Sequence, residues 1–355
     1  MKQQLKELQA YQPGLSPRQL KEKYGIEGDM VKLASNENLY GPSPKVKDAI
    51  QESLDELFYY PEVKQFDVKD TLSQFLNVKK EQIFFGSGLD EVIMIISRAV
   101  LEADDEILTS DMTFGQYKHH AVIERAQVKT TPLNNGYFDL DAMYEEITDK
   151  TKLIWICNPN NPSGTYLPHE ELESFIKKVP DNIIVLIDEA YIEFAVAEDM
   201  PRSLELLDKY KQVVVLRTFS KAYGLASQRI GYAIADESLL NQLDIVRLPF
   251  NVTSLSAVAA NAALQDQEYL KDITNKNRTE IEKFLNSSFK EQLYDSQTNF
   301  IFVNTDKPQE LYDQLLKEGF ITRPFPNGVR ITVGFSEHND KMIKVLETFF
   351  EKVNS

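Results

Sequence analysis

One cysteine, one tryptophan and four histidines are few for a chain of 355 residues. A single thiol, Cys157 inside an apolar run, excludes a disulfide framework and a cysteine-based zinc site. His119, His120, His169 and His338 show no ligand spacing with carboxylates, so no metal is expected. No window approaches the roughly 18 apolar residues of a membrane span, and the opening Met1-Lys2-Gln3-Gln4-Leu5-Lys6-Glu7 lacks the apolar core of a signal peptide. Positive charge is also scarce: 39 basic residues face 55 acidic ones, for a net charge of −16. With no stretch rich in Lys and Arg, that balance argues against nucleic acid or an anionic membrane as partner. An anionic ligand must be captured by a few locally placed cations. Hydrophobic residues at 42% and charged residues at 26% complete the profile expected of a soluble cytoplasmic enzyme.

The length exceeds a single core, so two packed units are the expectation. Ser16-Pro17 and Gly25 read as the start and stop of a short helix, and Ser43-Pro44 repeats the start signal. Val46, Ile50, Leu54 and Leu57 then fall on one helical face. From residue 82, short apolar runs at Gln82–Phe85, Glu106–Thr109, Leu153–Cys157, Ile183–Ile187 and Val213–Leu216 alternate with amphipathic stretches, such as the stripe Val92, Ile95, Ile96, Ala99 and Val100. That grammar predicts an α/β unit with a mostly parallel sheet flanked by helices. After Ile245 it changes to a helical stretch from about Ser254 to Phe284, strand Asn299–Val303, helix Gln309–Lys317, strand Phe320–Arg323, the turn Pro326-Asn327-Gly328, strand Val329–Phe335 and a last helix. The expected organisation is an N-terminal arm over 1–35 packed on the smaller unit, a large unit over 36–245 and a small α+β unit over 246–355.

Ligands of open α/β sheets bind outside the carboxyl ends of the strands, so the residues just beyond each apolar run are the candidates for a site. Gly86-Ser87-Gly88-Leu89-Asp90-Glu91 opens a helix, and its free N–H groups suit a phosphate, although a plain βα turn has the same sequence. Glu91 stands where a dinucleotide fingerprint needs its third glycine, which disfavours a nicotinamide dehydrogenase. Next come Asn158-Pro159-Asn160-Asn161-Pro162-Ser163-Gly164 and Asp188-Glu189-Ala190-Tyr191. An aspartate ending a buried strand either caps a helix or meets a cation. Arg217-Thr218-Phe219-Ser220-Lys221-Ala222-Tyr223-Gly224 comes after the last run, with Arg229 eight positions beyond the lysine. A lysine there is ordinarily solvated. Three polar strand ends converging with an anion cradle describe one ligand, an aromatic aldehyde bearing a phosphate, a pyridine nitrogen and a phenolic oxygen. Asp188 suits the nitrogen, Asn161 and Tyr191 the phenolate, and Lys221 the aldehyde. Gly88, Leu89, Asp90, Ser220 and Arg229 suit the phosphate.

These motifs resemble those of the fold-type I aminotransferases, a class-II branch of which is the histidinol-phosphate aminotransferase family. The likeness rests on Asn36-Glu37-Asn38 before Gly41-Pro42-Ser43-Pro44, Tyr60-Pro61, Thr113 to Tyr117, Asn158 to Gly164, Asp188 to Tyr191, Thr218 to Ala222, Thr298-Asn299-Phe300 and Val329 to Gly334, and it spans essentially the whole chain. The resemblance implies pyridoxal 5′-phosphate as cofactor, held covalently by Lys221, with Phe114 stacked on its ring. It implies a homodimer with shared sites, in which Tyr60 reaches the partner's cofactor phosphate, and substrate anions bound by Tyr11, Arg330 and Arg323. Phe114 also fits an ordinary core aromatic, and Arg323 a solvated surface cation. The implied reaction moves an amino group between L-glutamate and imidazole-acetol phosphate, giving 2-oxoglutarate and L-histidinol phosphate in histidine biosynthesis. An aromatic amino acid aminotransferase and a threonine-phosphate decarboxylase share the scaffold, and a catalytically silent cofactor-binding module is a further reading that intact Lys221 disfavours. Three positions depart from the family pattern: Ser227-Gln228 replaces a Gly-Leu pair, Leu39 a proline, and Leu89 a Ser or Ala. The first bears on the geometry of the phosphate site.

Overall fold

The computed structural model describes residues 2–10, 17–24, 30–63 and 65–354. Among these residues twelve strands run in chain order: β1 Val31–Lys32, β2 Ile83–Gly86, β3 Glu106–Ser110, β4 Gln127–Thr131, β5 Thr151–Cys157, β6 Ile184–Asp188, β7 Val213–Thr218, β8 Gly231–Ile234, β9 Phe300–Asn304, β10 Phe320–Ile321, β11 Arg323–Phe325 and β12 Gly328–Thr332. Seven of them form one sheet in the order β2-β8-β7-β6-β5-β3-β4. β8 alone runs antiparallel to its neighbours, so β2 still points the same way as β5, β6 and β7. Leu153 to Ile156 and Val185 to Ile187 are buried on both faces because helices cover both sides of the central strands. A mostly parallel α/β sheet is what the apolar runs implied.

All five anticipated runs lie in this sheet, and two strands were not anticipated. β4 is a half-exposed edge strand whose Gln127, Lys129 and Thr130 disguise it, and β8 is a four-residue antiparallel insert. The helix from Leu89 to Val100 buries Val92, Ile95 and Ile96 as expected, but leaves Ala99 exposed. The helix opened by Ser43 stops at Glu52, and a 3₁₀ turn Leu54–Glu56 comes next. Leu54 and Leu57 are therefore exposed, not part of a buried stripe. The Ser16 and Gly25 signals lie outside the described residues, although the helix Pro17–Tyr24 between them is present.

The stretch 254–284 is two helices, Ser254–Leu264 and Gln267–Leu285. Ala259, Ala260, Ala263 and Leu264 of the first join the core of the large sheet, whereas Ile281 and Phe284 of the second join the core of the smaller unit with Ile301, Val303, Val329 and Ile331. Helix Gln267–Leu285 thus runs from the large sheet to the core of the smaller unit. Its sheet is β11-β12-β9, and the expected strand 320–323 splits between β10, which pairs with β1, and β11. The arm also divides. Leu20 packs with Leu316 and Ile321 of the smaller unit, while Lys2 and Gln4 donate to the carbonyl of Ile123 on the large one. The hairpin turns at Pro326-Asn327, and Gly328 opens β12 where a Cβ would run into the Val303 carbonyl. Among the described residues no helix is long and apolar enough to cross a membrane, and no cluster of His, Cys, Asp or Glu could hold a metal.

Candidate active site

Because β2, β5, β6 and β7 end at one edge of the sheet, the loops beyond them meet there. They enclose a cavity of about 430 Å³ lined by Leu89, Asp90, Phe114, Asn161, Asp188, Tyr191, Ser220, Lys221, Arg229 and Arg330, with Ser35, Asn36 and Glu37 on its remaining wall. A wider cleft of about 800 Å³ near Tyr137 and Glu171 is larger, but none of these strand-end groups reaches it.

Lys221 donates from its amine to the Ser35 carbonyl at 2.9 Å. Burial is the main force lowering its proton affinity, to a pKa of about 8, and the Arg330 and Arg229 cations add to it while Glu37 and Asp90 oppose. Asp188 is buried and pushed the other way, up to about 6, again chiefly by desolvation. Its carboxylate accepts from the Tyr117 hydroxyl at 2.5 Å and from the Ala190 N–H at 3.1 Å, both neutral donors. Alternation along the chain sends the next residue, Glu189, to the opposite side, where it pairs with Arg217 at 2.8 Å. Burial also raises the Tyr191 phenol, so it stays protonated. Since Asn36 donates to the Tyr191 oxygen at 2.9 Å, the Tyr191 proton is left to donate into the cavity.

The Gly88 turn carries the anion end. Gly88 has φ +79°, and a Cβ on it would strike the Arg229 guanidinium, so the turn and the arginine are in close apposition. The helix Leu89–Val100 starts here without a side-chain cap, which leaves its N-terminal N–H groups for a ligand. Arg229 lies 3.6 Å from Asp90 and 3.5 Å from the Ser220 hydroxyl. The unusual Ser227-Gln228 pair sits in a 3₁₀ turn that delivers Arg229 in a left-handed conformation, φ 49°, with the Gln228 carbonyl held by Ser256. The substitution leaves the arginine over the turn.

The model of the family Aminotransferase class I and II matches residues 28–346. The chain belongs to that aminotransferase family. A histidinol-phosphate aminotransferase of Staphylococcus aureus (strain MRSA252) is 59% identical and one of Staphylococcus haemolyticus 58%, each over 98% of this chain and 99% of the relative. The crystal structure of histidinol-phosphate aminotransferase from Sinorhizobium meliloti in complex with pyridoxal-5′-phosphate superposes with a TM-score of 0.89 at 27% identity, covering 98% of both chains.

Not every residue expected at the site of this aminotransferase is in the cavity. Tyr11 lies outside the described residues. Tyr60 is 81% exposed and stacks on Phe250 at 4.7 Å, away from its own Lys221. Arg330 is buried and donates to Asn161 and to the Ala34 carbonyl. Arg323 stands opposite Arg330 in the hairpin register but is not part of the cavity wall. Tyr117 was missed as a functional residue. Its ring stacks on Trp155 at 4.6 Å and presents its hydroxyl to Asp188, a role that only the fold reveals.

The lowered proton affinity of Lys221 has a stability consequence. An unfolded lysine holds its proton up to about pH 10.4, so burying the charged amine costs stability below about pH 8, and the cost fades as pH rises toward the unfolded value. Lys221→Met should stabilise the ligand-free protein by about 1–3 kcal/mol at pH 7, allowing for the partial exposure of the side chain. Thermal melts at pH 7 and pH 10.5 check this; a gain equal at both values contradicts it.

Proposed function

We propose that this aminotransferase binds pyridoxal 5′-phosphate in the Lys221 cavity and moves an amino group between L-glutamate and imidazole-acetol phosphate, yielding L-histidinol phosphate. The observation that carries the reading is the convergence on one cavity of a buried amine of low proton affinity, a buried acid with only neutral donors, and an arginine over a glycine turn. The donor set fits the cofactor group by group. Arg229, Ser220 and the N–H groups at Gly88, Leu89 and Asp90 would hold its phosphate. Asn161 and Tyr191 would donate to its phenolic oxygen, and Phe114 offers an apolar face to its ring. The full-length similarity to histidinol-phosphate aminotransferases supports the choice of substrate.

When bound, the cofactor supplies an aldehyde that takes up the amino group and a protonated ring that accepts the electron pair released at the substrate α-carbon. Asp188 would keep a proton on the ring nitrogen, and that cation would in turn stabilise a carboxylate which burial disfavours. Lys221 must be neutral to take the α-proton, and desolvation together with Arg330 and Arg229 favours that form near neutral pH. The same amine would then hand that proton to the former aldehyde carbon of the cofactor, which leaves the amino group on the cofactor and the substrate as its keto acid or ketone. Arg330 binds the anion of each substrate, carboxylate or phosphate, at overlapping places. Arg323, beside it in the hairpin, strengthens the hold on phosphate and on the distal carboxylate of glutamate.

The exposed position of Tyr60 supports a homodimer with shared sites. Leu54, Leu57, Phe58, Tyr59, Tyr60, Ile245, Leu248 and Phe250 are all solvent-facing, an apolar patch of the kind that a second copy covers. Such a dimer carries Tyr60 to the cofactor phosphate of its partner. The reading also places the enzyme in the cytoplasm as part of amino-acid biosynthesis.

Two experiments test this. In half-reactions followed by cofactor absorbance, histidinol phosphate and glutamate should be converted with higher kcat/KM than phenylalanine or threonine phosphate. Losing a desolvated charge partner costs about 2–5 kcal/mol, so Arg330→Ala should cut the first two by roughly 30-fold or more. Arg323→Ala should weaken them more than phenylalanine, which has no second anion. An Arg330→Ala variant with an unaffected histidinol-phosphate reaction contradicts the pocket assignment. Second, mixing inactive Lys221→Ala chains with inactive Tyr60→Ala chains should restore activity, since each mixed dimer holds one intact site. No recovery after verified subunit exchange counts against shared sites.

A further inference from the structure

Glu37 faces the same cavity and has no part in the chemistry assigned above. It ends a wall of four consecutive residues. The Ala34 carbonyl takes Arg330, the Ser35 carbonyl takes the Lys221 amine, and the Asn36 amide holds Tyr191. Asn36 is itself fixed, its N–H donating to the Thr332 hydroxyl at 3.0 Å and its side-chain oxygen accepting from the same group. Glu37 therefore leaves the wall from a rigid point close to the reactive amine.

Its two carboxylate oxygens are treated differently. Oε1 accepts from the Lys32 ammonium at 2.5 Å on the outer side. Oε2 is shielded from solvent and has no hydrogen-bond partner. A buried acceptor without a donor is unfavourable and rare in folded proteins. The side chain as a whole is 31% exposed, so it stands at the rim of the cavity rather than on its floor; Oε2 itself is covered, and a ligand reaches it once the carboxylate turns or a neighbouring group gives way. The other acids of the cavity have work already: Asp188 lies at the ring-nitrogen end, and Asp90 beside Arg229 at the phosphate turn.

We propose that Glu37 is a specificity-determining residue whose Oε2 accepts a hydrogen bond from a ring N–H of the substrate's heterocyclic side chain. The inference rests on the reading of histidinol phosphate as substrate. A carboxylate only accepts, so it suits a side chain that carries an N–H and offers nothing to a benzyl ring. An imidazole always presents at least one such N–H, and an imidazolium adds charge assistance. The same oxygen repels the distal carboxylate of glutamate, which must therefore lie on the arginine side of the cavity. One residue would thereby separate the two substrates in space while Arg330 serves both.

The test uses cofactor-loaded Glu37→Ala and Glu37→Gln enzymes in single-turnover half-reactions with histidinol phosphate, glutamate and phenylalanine. The pH titration of the bound cofactor's absorbance is measured alongside, because it reports the proton affinity of the Lys221 nitrogen once joined to the cofactor. The expected result for Glu37→Ala is a loss of about tenfold or more in kcat/KM for histidinol phosphate, mainly through KM. Phenylalanine should stay within about twofold and glutamate should be unchanged or improved. Glu37→Gln, which keeps an oxygen acceptor but no charge, should fall between. An equal loss on all three substrates with a displaced absorbance titration would mean that Glu37 acts only through the charge on Lys221, and overturns the proposal. Full activity toward histidinol phosphate in Glu37→Ala overturns it as well. A wild-type enzyme inert toward histidinol phosphate overturns the substrate reading and this inference together, whereas the first two outcomes overturn the inference alone.

Discussion

An amine and a carboxylic acid buried at the ends of neighbouring strands are each driven toward their neutral forms, and the rest of the site answers that cost. Lys221 is pushed down to about 8 and Asp188 up to about 6, in both cases mainly by the loss of water. Neither receives a full counter-charge from the protein. The amine rests on the Ser35 carbonyl, and the acid takes two neutral donors. The ligand that completes them must therefore bring a carbonyl group for one and a cationic N–H for the other. The fold tolerates this arrangement because the strands beneath, β5, β6 and β7, form a dense apolar base on both faces.

The local cations matter more because the chain as a whole is strongly acidic. Arg229 and Arg330 reach the cavity from different places, the first after the 3₁₀ turn Ala226–Gln228 and the second from β12 of the smaller unit. Arg330 is fastened to Asn161 and Ala34, so the smaller unit, the large sheet and the N-terminal segment all meet at one guanidinium. A substrate anion that displaces those contacts would draw on all three. The site is thus assembled from elements far apart in sequence, although each is prepared locally by a strand end or a turn.

Those local preparations are what made the site readable from the sequence. Continuous apolar runs fixed where β5, β6 and β7 end, and the polar residues just beyond them, Asn161, Asp188 and Lys221, could be picked out by type. Contacts that depend on tertiary placement were not visible. Tyr117 reaches Asp188 only because the fold stacks its ring on Trp155 of β5. The edge strand β4 lacks a hydrophobic signature because it is half solvated, and the insert β8 is apolar and buried but only four residues long. Leu54 and Leu57 kept helical spacing yet face solvent, because their helix ends at Glu52. Helical period alone cannot tell a face that meets the core from one that stays exposed. Ser254–Leu264 is apolar in a way that suits either core, and its packing on the large unit depends on tertiary placement.

The central claim is that the amine of Lys221 is the group that holds the cofactor. Borohydride reduction of the protein loaded with pyridoxal 5′-phosphate, then proteolysis and mass spectrometry, tests it most directly. The account predicts the reduced cofactor on the single peptide that contains Lys221, and no labelled peptide from the Lys221→Ala variant. Label recovered on another lysine, with Lys221→Ala still turning over normally, would contradict it.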